Sequence, residues 1–287
     1  MSLSRQVPLA PGAIRGLMRR SARFKAFMKH RRVQQLVKAN RRRPMLAPTW
    51  RYFLAELFAT GGARRYRLRE TGATVVLRPG TRDTDILQEI FLGPGVYAPP
   101  PMVVERLARA TPLHVLDLGG NIGLFGLYLC GRYEVEKLVS YEPDPTNTPL
   151  LQANIGSNGL ASQWHLETDC ISNRDGTVKF RSGLFADSLI VDAGPGIEVQ
   201  CRDIFTLRGK FDLVKMDIEG SEWDVLADDR LRDFPSDVLV IEWHAAQCPF
   251  EAPRAAVVSR LREVGFEVED VPRGEESEVA GMLWAWR

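Results

Sequence analysis

The chain has 287 residues, 45% of them hydrophobic and 26% charged, which are ordinary values for a folded protein and exclude a disordered or collagen-like chain. No run of about eighteen apolar residues occurs, and Arg15, Arg19, Arg20, Arg23 and Lys25 break the first thirty positions, so neither a membrane span nor a secretory signal is expected and the expected location is cytoplasmic. The net charge of +2 conceals an asymmetry: no Asp or Glu precedes Glu56, while Arg and Lys recur from Arg5 to Arg43.

This basic arm has the charge to bind nucleic acid or an anionic surface, and an Arg-rich, acid-poor start also has the makeup of an organelle transit peptide. Ser is sparse, however, and Ile14, Leu17, Met18, Phe24, Phe27 and Met28 recur at helical spacing. The pattern therefore favours an amphipathic helical extension over residues 1–60, broken at Pro44 and Pro48. Its apolar stripe would pack on the rest of the chain or join two copies into a homo-oligomer.

In residues 61–112, alternation over 66–78 around Gly72 predicts a hairpin, 84–91 reads as a helix and 93–101 as a proline-rich loop. From 113 to 287 short apolar runs alternate with amphipathic stretches, which predicts a mostly parallel seven-stranded sheet with helices on both faces. The principal strands are expected at 114–118, 138–142, 165–168, 211–218, 238–243, 266–271 and 282–286, with short additional ones at 178–180 and 197–201. The last two flank a polar turn containing Gly274 and could pair as an edge hairpin. Cys130, Cys170, Cys201 and Cys248 show neither a CxxC pair nor zinc-like spacing and read as reduced, mostly buried thiols.

Three segments carry chemistry. In Val115-Leu116-Asp117-Leu118-Gly119-Gly120-Asn121-Ile122-Gly123 an apolar strand runs into a glycine turn and a helix, a turn that lets backbone N–H groups approach a ligand. The glycines do not reproduce G-x-G-x-x-G, which weakens a nicotinamide or flavin reading. Asp117 beside the turn would repel a pyrophosphate and suits a ligand bearing an ammonium and a sulfonium group. Glu142, closing the next strand roughly twenty residues after the turn, is placed to accept both hydrogen bonds of a ribose diol. Asp169 could accept from an adenine amino group while Cys170 and Ile171 pack on the ring.

The third segment runs from Asp212 to Trp223 and contains Asp217-Ile218-Glu219-Gly220-Ser221-Glu222. If the strand stays extended to Glu219, Asp217 and Glu219 share one face, and Glu242 and His244 repeat that spacing on the next strand. Four titratable groups then gather at the carboxyl ends of neighbouring strands, where open α/β sheets place their sites. Either acid could activate a hydroxyl, and His244 has the most suitable unperturbed pKa for a general base. The same groups could hold a divalent cation, but spacing alone does not bring all four within ligand distance, so metal-free base catalysis is preferred. The plainer alternatives are that Glu222 and Asp224 favour a helix start and that His244 is structural.

Residues 84–244 resemble the FkbM family of S-adenosylmethionine-dependent methyltransferases. The matching pieces are Glu89-Ile90-Phe91 with Gly95-Val96-Tyr97, the turn from Val115 to Gly123, Glu142-Pro143, Asn154 with Asn158-Gly159-Leu160, Asp175-Gly176-Thr177-Val178, the run from Asp217 to Glu222, and Glu242-Trp243-His244. The resemblance implies a class I methyltransferase fold with S-adenosylmethionine as cofactor, and O-methylation of a hydroxyl on a sugar or a natural product of secondary metabolism. The expected cofactor set is Glu89, Tyr97, Asp117, Gly119, Asn121, Gly123, Glu142, Pro143, Asp169, Cys170 and Asp217. The expected catalytic set is Asp217, Glu219 and His244, and a metal, if held, would take Asp217, Glu219, Glu242 and His244. Departures from the family pattern are Gly120 where many members have Ala, Asp169-Cys170 where small residues are common, and the long basic arm. Two rival functions stand beside this one. A nucleic-acid methyltransferase would use the basic arm, but enzymes that methylate base amino groups usually carry D/N-P-P-Y/F where this chain has Asp217-Ile218-Glu219-Gly220, and an acidic turn is poor company for phosphates. A non-catalytic cofactor-binding module would have lost residues that are all present here.

Overall fold

The computed structural model describes residues 31–58, 62–92, 95–183, 189–190, 195–271 and 279–287; the apolar stripe expected at 14–28 and the turn at Gly274 lie outside them. In chain order, helix α1 (Arg31–Arg42), strand β1 (Leu46–Ala47), helix α2 (Thr49–Phe58) and strands β2 (Arg64–Leu68) and β3 (Thr74–Leu77) precede the main sheet. The three strands form an antiparallel sheet, with Gly72 at φ +74° in the hairpin turn.

Helix α3 (Arg82–Phe91) starts where Thr81 accepts the backbone N–H of Asp83 at 3.2 Å. Buried Arg42 fixes it to the preceding segment, donating to Thr84 Oγ1 at 2.7 Å, to Gln88 Oε1 at 3.1 Å and to Asp85, with Glu56 alongside. The proline-rich loop expected at 93–101 ends differently: Pro101 opens a further helix, α4 (Pro101–Ala110). Proline suits a first helical position because its fixed φ is helical and its missing N–H would be unsatisfied there anyway.

The main sheet is built from β4 (Leu113–Leu118), β5 (Val135–Tyr141), β6 (Trp164–Glu167), β11 (Leu213–Met216), β12 (Val238–His244), β13 (Glu267–Asp270) and β14 (Ala280–Trp286). The intervening helices are α5 (Leu124–Cys130), α6 (Thr148–Ser157), α7 (Glu222–Ala227) and α8 (Pro253–Glu263), and a side sheet holds β7 (Cys170–Ser172), β8 (Gly176–Arg181), β9 (Leu189–Ile190) and β10 (Ile197–Asp203). The main strands lie in the order β13-β14-β12-β11-β4-β5-β6, parallel from β12 through β6, while β14 runs antiparallel to both β12 and β13. The last two strands do pair as a hairpin, but β14 inserts between β12 and β13, so the sheet is mixed and β13 alone forms that edge.

Alternation along the strands sends side chains to two cores. Leu113, Val115, Leu138, Leu213 and Val240 pack on one face with residues of α5 and α6. Leu116, Leu118, Val214, Met216, Leu239 and Ile241 pack on the other with residues of α7 and α8. Asn154 on α6 docks the β3 strand, accepting Val76 N at 2.6 Å and donating to Val76 O at 3.1 Å and Ile122 O at 2.6 Å. All four cysteines are free, with Cys170 and Cys201 buried and Cys130 and Cys248 partly so. Among the described residues, no helix is long and apolar enough to cross a membrane.

Candidate active site

A cavity of about 360 Å³ opens at the carboxyl ends of β4, β5, β11 and β12. One wall is the turn Gly119-Gly120-Asn121 with Glu142-Pro143 and Asp169-Cys170-Ile171; a second, adjoining wall is Asp217-Ile218-Glu219 with Glu242 and His244; Ile86, Glu89 and Ile90 of α3 and Tyr97 also line it.

The glycine turn is held by its neighbours. Gly119 and Gly120 donate to the Tyr141 carbonyl at 3.0 and 2.9 Å. Gly119 has φ +80°, and a Cβ there would lie 1.8 Å from the Asp217 carbonyl oxygen, so the position requires glycine on both counts. Glu142 accepts Asn121 N at 2.6 Å through one carboxylate oxygen and Asp144 N at 2.9 Å through the other. Burial pushes its pKa up to about 7, against the opposing effect of those two N–H donors. Asn147 Nδ2 donates to the second oxygen as well, at 3.5 Å. An ionised carboxylate has about four acceptor positions, so these three donors leave capacity for a hydroxyl donor from the cavity.

Asp117 does not reach the cavity as expected. It is fully buried beneath the turn, accepts Ser140 Oγ at 2.8 Å, and lies 3.5 Å from Lys215 Nζ. Ser140 Oγ in turn accepts Trp164 Nε1 at 2.9 Å. The cavity surface is taken instead by Gly119, Gly120 and Asn121, in the turn beyond the strand end. Gly123 likewise caps α5 with φ +84° and meets Trp164 instead of lining the cavity. Asp169 does line it, but its Oδ2 is held by Arg202 at 2.7 and 3.0 Å. Glu89, Tyr97, Gly119, Asn121, Glu142, Pro143, Cys170 and Asp217 all reach the cavity.

Lys215, which the motif reading passed over, links the two walls. It is buried, donates to the carbonyls of Gly119 at 2.7 Å and Leu118 at 3.3 Å, and lies 3.3 Å from Asp217 Oδ2. Burial disfavours its charge, but Asp217, Asp117 and Glu242 outweigh that and hold its pKa above the ordinary lysine value. A lysine inside the apolar run Leu213-Val214-Lys215-Met216 was itself a signal, since such a charge needs a partner when buried. Tyr97 donates to the same Asp217 oxygen at 3.3 Å.

The strand does not stay extended to Glu219. β11 ends at Met216, and Glu219 takes a left-handed φ of +53° followed by Gly220 at +107°. Glu222 folds this turn back: fully buried, it accepts Gly220 N at 2.6 Å and Ile218 N at 3.2 Å, and contacts His244 Nδ1 at 2.9 Å. The turn delivers Glu219 to His244 Nε2 at 3.3 Å. Asp217, Glu219 and His244 each offer a ligand atom within 4.8 Å of the others, with Glu242 on the cavity wall beside them. Burial and then the Asp217 charge raise the Glu219 pKa to about 8. Burial opposes a charge on His244, but the Glu222 hydrogen bond and charge, with Glu219 and Asp217, lift its pKa to about 10. The ring is therefore engaged at both nitrogens, unlike the unperturbed imidazole assumed from sequence.

Residues 117–268, more than half of the chain, match the model of the methyltransferase FkbM domain. The chain belongs to the FkbM methyltransferase family. That family is one of S-adenosylmethionine-dependent methyltransferases, and the turn, Glu142 and the Asp217 to His244 cluster all fall inside the matched segment. No curated protein gives a significant match. Among solved structures, the chain is similar to an FkbM methyltransferase from Methylobacillus flagellatus KT, at 18% identity and a TM-score of 0.45 over 61% of this chain and 43% of that one. The chain thus spans less than half the length of that relative. It is also similar to a transferase of Pyrococcus horikoshii, at 16% identity and a TM-score of 0.42 over 79% of this chain and 71% of the other. A third is the magnesium protoporphyrin IX methyltransferase of Synechocystis PCC 6803, solved with bound S-adenosylmethionine, at 14% identity and a TM-score of 0.39 over 65% of this chain and 76% of that one.

Proposed function

We propose that this FkbM family member methylates a hydroxyl group on a small molecule, a sugar or another hydroxylated natural product, by in-line displacement. The observation that carries the reading is that one cavity joins a wall suited to a nucleoside with an amino-acid tail to a wall of Asp217, Glu219 and His244. The fit to S-adenosylmethionine is chemical. Glu142 retains acceptor capacity for a ribose hydroxyl beside its three present donors, Cys170 and Ile171 offer a surface for the adenine, and the acidic wall suits a positively charged sulfonium and ammonium.

When bound, the cofactor supplies an electrophilic methyl on sulfur and leaves as S-adenosylhomocysteine. Everything else falls to the chain. The glycine turn and Glu142 fix the nucleoside end, while α3 and Tyr97 complete the lining against which the reactants are held. Holding two reactants at near-attack distance contributes about 7 to 11 kcal/mol toward the barrier. With both nitrogens of His244 engaged, the carboxylates of Asp217 and Glu219 are the groups that accept the hydroxyl proton, and His244 orients Glu219. Proton transfer of this kind adds about 100- to 10,000-fold in rate. The acidic wall also disfavours a nucleic acid as acceptor, since phosphates are repelled there. Calorimetric titration with S-adenosylhomocysteine tests the cofactor half of the reading, with micromolar-range binding expected and absence of binding contradicting it. Incubation with methyl-labelled cofactor and a panel of hydroxylated metabolites tests the acceptor half.

A further inference from the structure

Metal-free chemistry is the simpler expectation from motif spacing, because spacing alone leaves the polar groups at unknown separation. The folded chain removes that objection for three of the four groups. Asp217, Glu219 and His244 each present a donor atom, and the three donors lie within 4.8 Å of one another. Cation–ligand distances of roughly 2.0 to 2.3 Å place donors on one ion at most about 4.5 Å apart, so the separation needs little adjustment. Each of the three side chains is only 17 to 23% exposed, which sets the group apart from acids spread on a surface.

The imidazole is the telling donor. His244 Nδ1 is tied to Glu222 at 2.9 Å, and Glu222 is itself fully buried and outside the donor group. That bond holds the ring so that Nε2 faces Glu219 and the cavity. A cation would displace the proton that Nε2 now shares with Glu219 at 3.3 Å and sit between the two. A carboxylate gripping the far nitrogen of a histidine is the usual support of a metal-binding imidazole, fixing its tautomer and orientation. The rest of the surround is fixed as well: Trp223 Nε1 donates to the His244 carbonyl at 2.7 Å, and Glu222 holds the N–H groups of Ile218 and Gly220 on the turn that carries Glu219. Asp217, Glu219, Glu222 and Glu242 bring four carboxylates to this corner, beside the ammonium of Lys215.

We propose that Asp217, Glu219 and His244 form a divalent-cation site of the manganese class, opening into the acceptor end of the cavity. Two carboxylates and one imidazole suit a first-row transition ion better than calcium or magnesium, which favour oxygen-only sets. Three protein donors leave coordination positions toward the cavity, as in metal sites that act on substrate. The role of the cation rests on the O-methylation reading above; its binding does not. A cation touching the acceptor hydroxyl lowers that hydroxyl's pKa. With the cation bound, Asp217 and Glu219 would serve as ligands in place of proton acceptors. The O–H proton would then pass to Glu242, which also lines the cavity, and on to water, while the oxygen pair forms the new O–C bond and the C–S pair returns to sulfur.

The test is Mn²⁺ binding to the full chain, followed by the loss of the free-ion electron paramagnetic resonance signal. One ion per chain is expected, with Asp217→Asn, Glu219→Gln and His244→Gln each weakening binding at least tenfold and Glu136→Gln, an exposed acid elsewhere, leaving it unchanged. Retained binding of S-adenosylhomocysteine shows that a variant is folded. Because a variant can fail, the wild type supplies its own readout: electron spin echo modulation of bound Mn²⁺ should carry a histidine nitrogen coupling. The proposal is overturned if Mn²⁺ does not bind at millimolar concentration while S-adenosylhomocysteine does, if the nitrogen coupling is missing, or if saturating S-adenosylmethionine competes the ion away. The last result would mean that the acids serve the cofactor's own positive charge. Absence of S-adenosylhomocysteine binding would instead count against the methyltransferase reading, and methyl transfer that proceeds fully in EDTA would count against the cation alone.

Discussion

Glu142 accepts the backbone N–H of Asn121 at 2.6 Å, so the end of β5 and the glycine turn after β4 form one rigid unit on the cavity wall. The same carboxylate is the one proposed above to hold the ribose, a role that would make it both a brace for the turn and a ligand contact. Replacing Glu142 by Ala should weaken S-adenosylhomocysteine binding by about 1.5 to 3 kcal/mol, the range for hydrogen bonds to a charged group, or roughly 10- to 150-fold in dissociation constant. An unchanged constant by calorimetry would remove the ribose assignment.

Cofactor affinity should also depend on pH through this residue. Burial raises the Glu142 pKa from 4.5 to about 7 in the empty protein, and hydroxyl donors favour the ionised form. Binding therefore lowers the pKa, so affinity is full above about pH 7 and declines as pH falls below it, by at most about tenfold per unit. Titrations from pH 5.5 to 8 should show this slope in wild type and a flat profile in Glu142→Gln; a wild-type profile that rises toward low pH has the wrong sign for the account.

Lys215 bridges buried Asp117 and Asp217 and holds the carbonyls of Leu118 and Gly119. Lys215→Met leaves Asp117 as an uncompensated buried carboxylate, and breaking such a pair costs about 3 to 5 kcal/mol. Urea denaturation should show that loss, with partial recovery in the double variant Lys215→Met with Asp117→Asn. Equal stability of wild type and Lys215→Met would mean that the buried pair does not hold the turn.

Arg42 acts on the site from a distance, because it anchors α3, and α3 supplies Ile86, Glu89 and Ile90 to the cavity. Arg42→Ala should lower stability by about 1.5 to 3 kcal/mol, the scale of a charged hydrogen bond lost in a buried site, and raise KM for the cofactor. Deleting residues 1–30, by contrast, should leave cofactor affinity unchanged, since among the described residues the cavity is lined from Arg82 onward. A large loss of affinity on that deletion would show that the basic arm contributes to the cofactor site.

How much of this was legible in sequence depends on how local each cause is. The apolar runs of β4 and β12 and the carboxylate closing β5 were readable because strand burial and strand ends leave local patterns. Helix α4 was hidden by the prolines before it, although Pro101 is also a helix-start signal. The insertion of β14 between β12 and β13 is a pairing of distant segments, and no local period records it. Asp117 was misplaced for the same reason: its partner Lys215 lies on another strand, so an acid at a glycine turn looked like a ligand contact when it is a brace beneath one. Glu219 was expected on an extended strand, whereas Gly220 and Glu222 together turn it toward His244. The three groups still meet, by a bend where alternation was expected.

The central claim is that one cavity binds S-adenosylmethionine at the Gly119 to Glu142 wall and directs its methyl to a hydroxyl at the Asp217, Glu219 and His244 wall. The most direct measurement incubates the protein with carbon-13 methyl-labelled S-adenosylmethionine, a panel of sugars and hydroxylated natural products, and transfer RNA and duplex DNA, and locates the label by nuclear magnetic resonance. The account predicts a new O-methyl ether on a small molecule, lost in Glu142→Ala at limiting cofactor and in Asp217→Asn. Label found on nucleic acid, or on nitrogen or carbon, would contradict it.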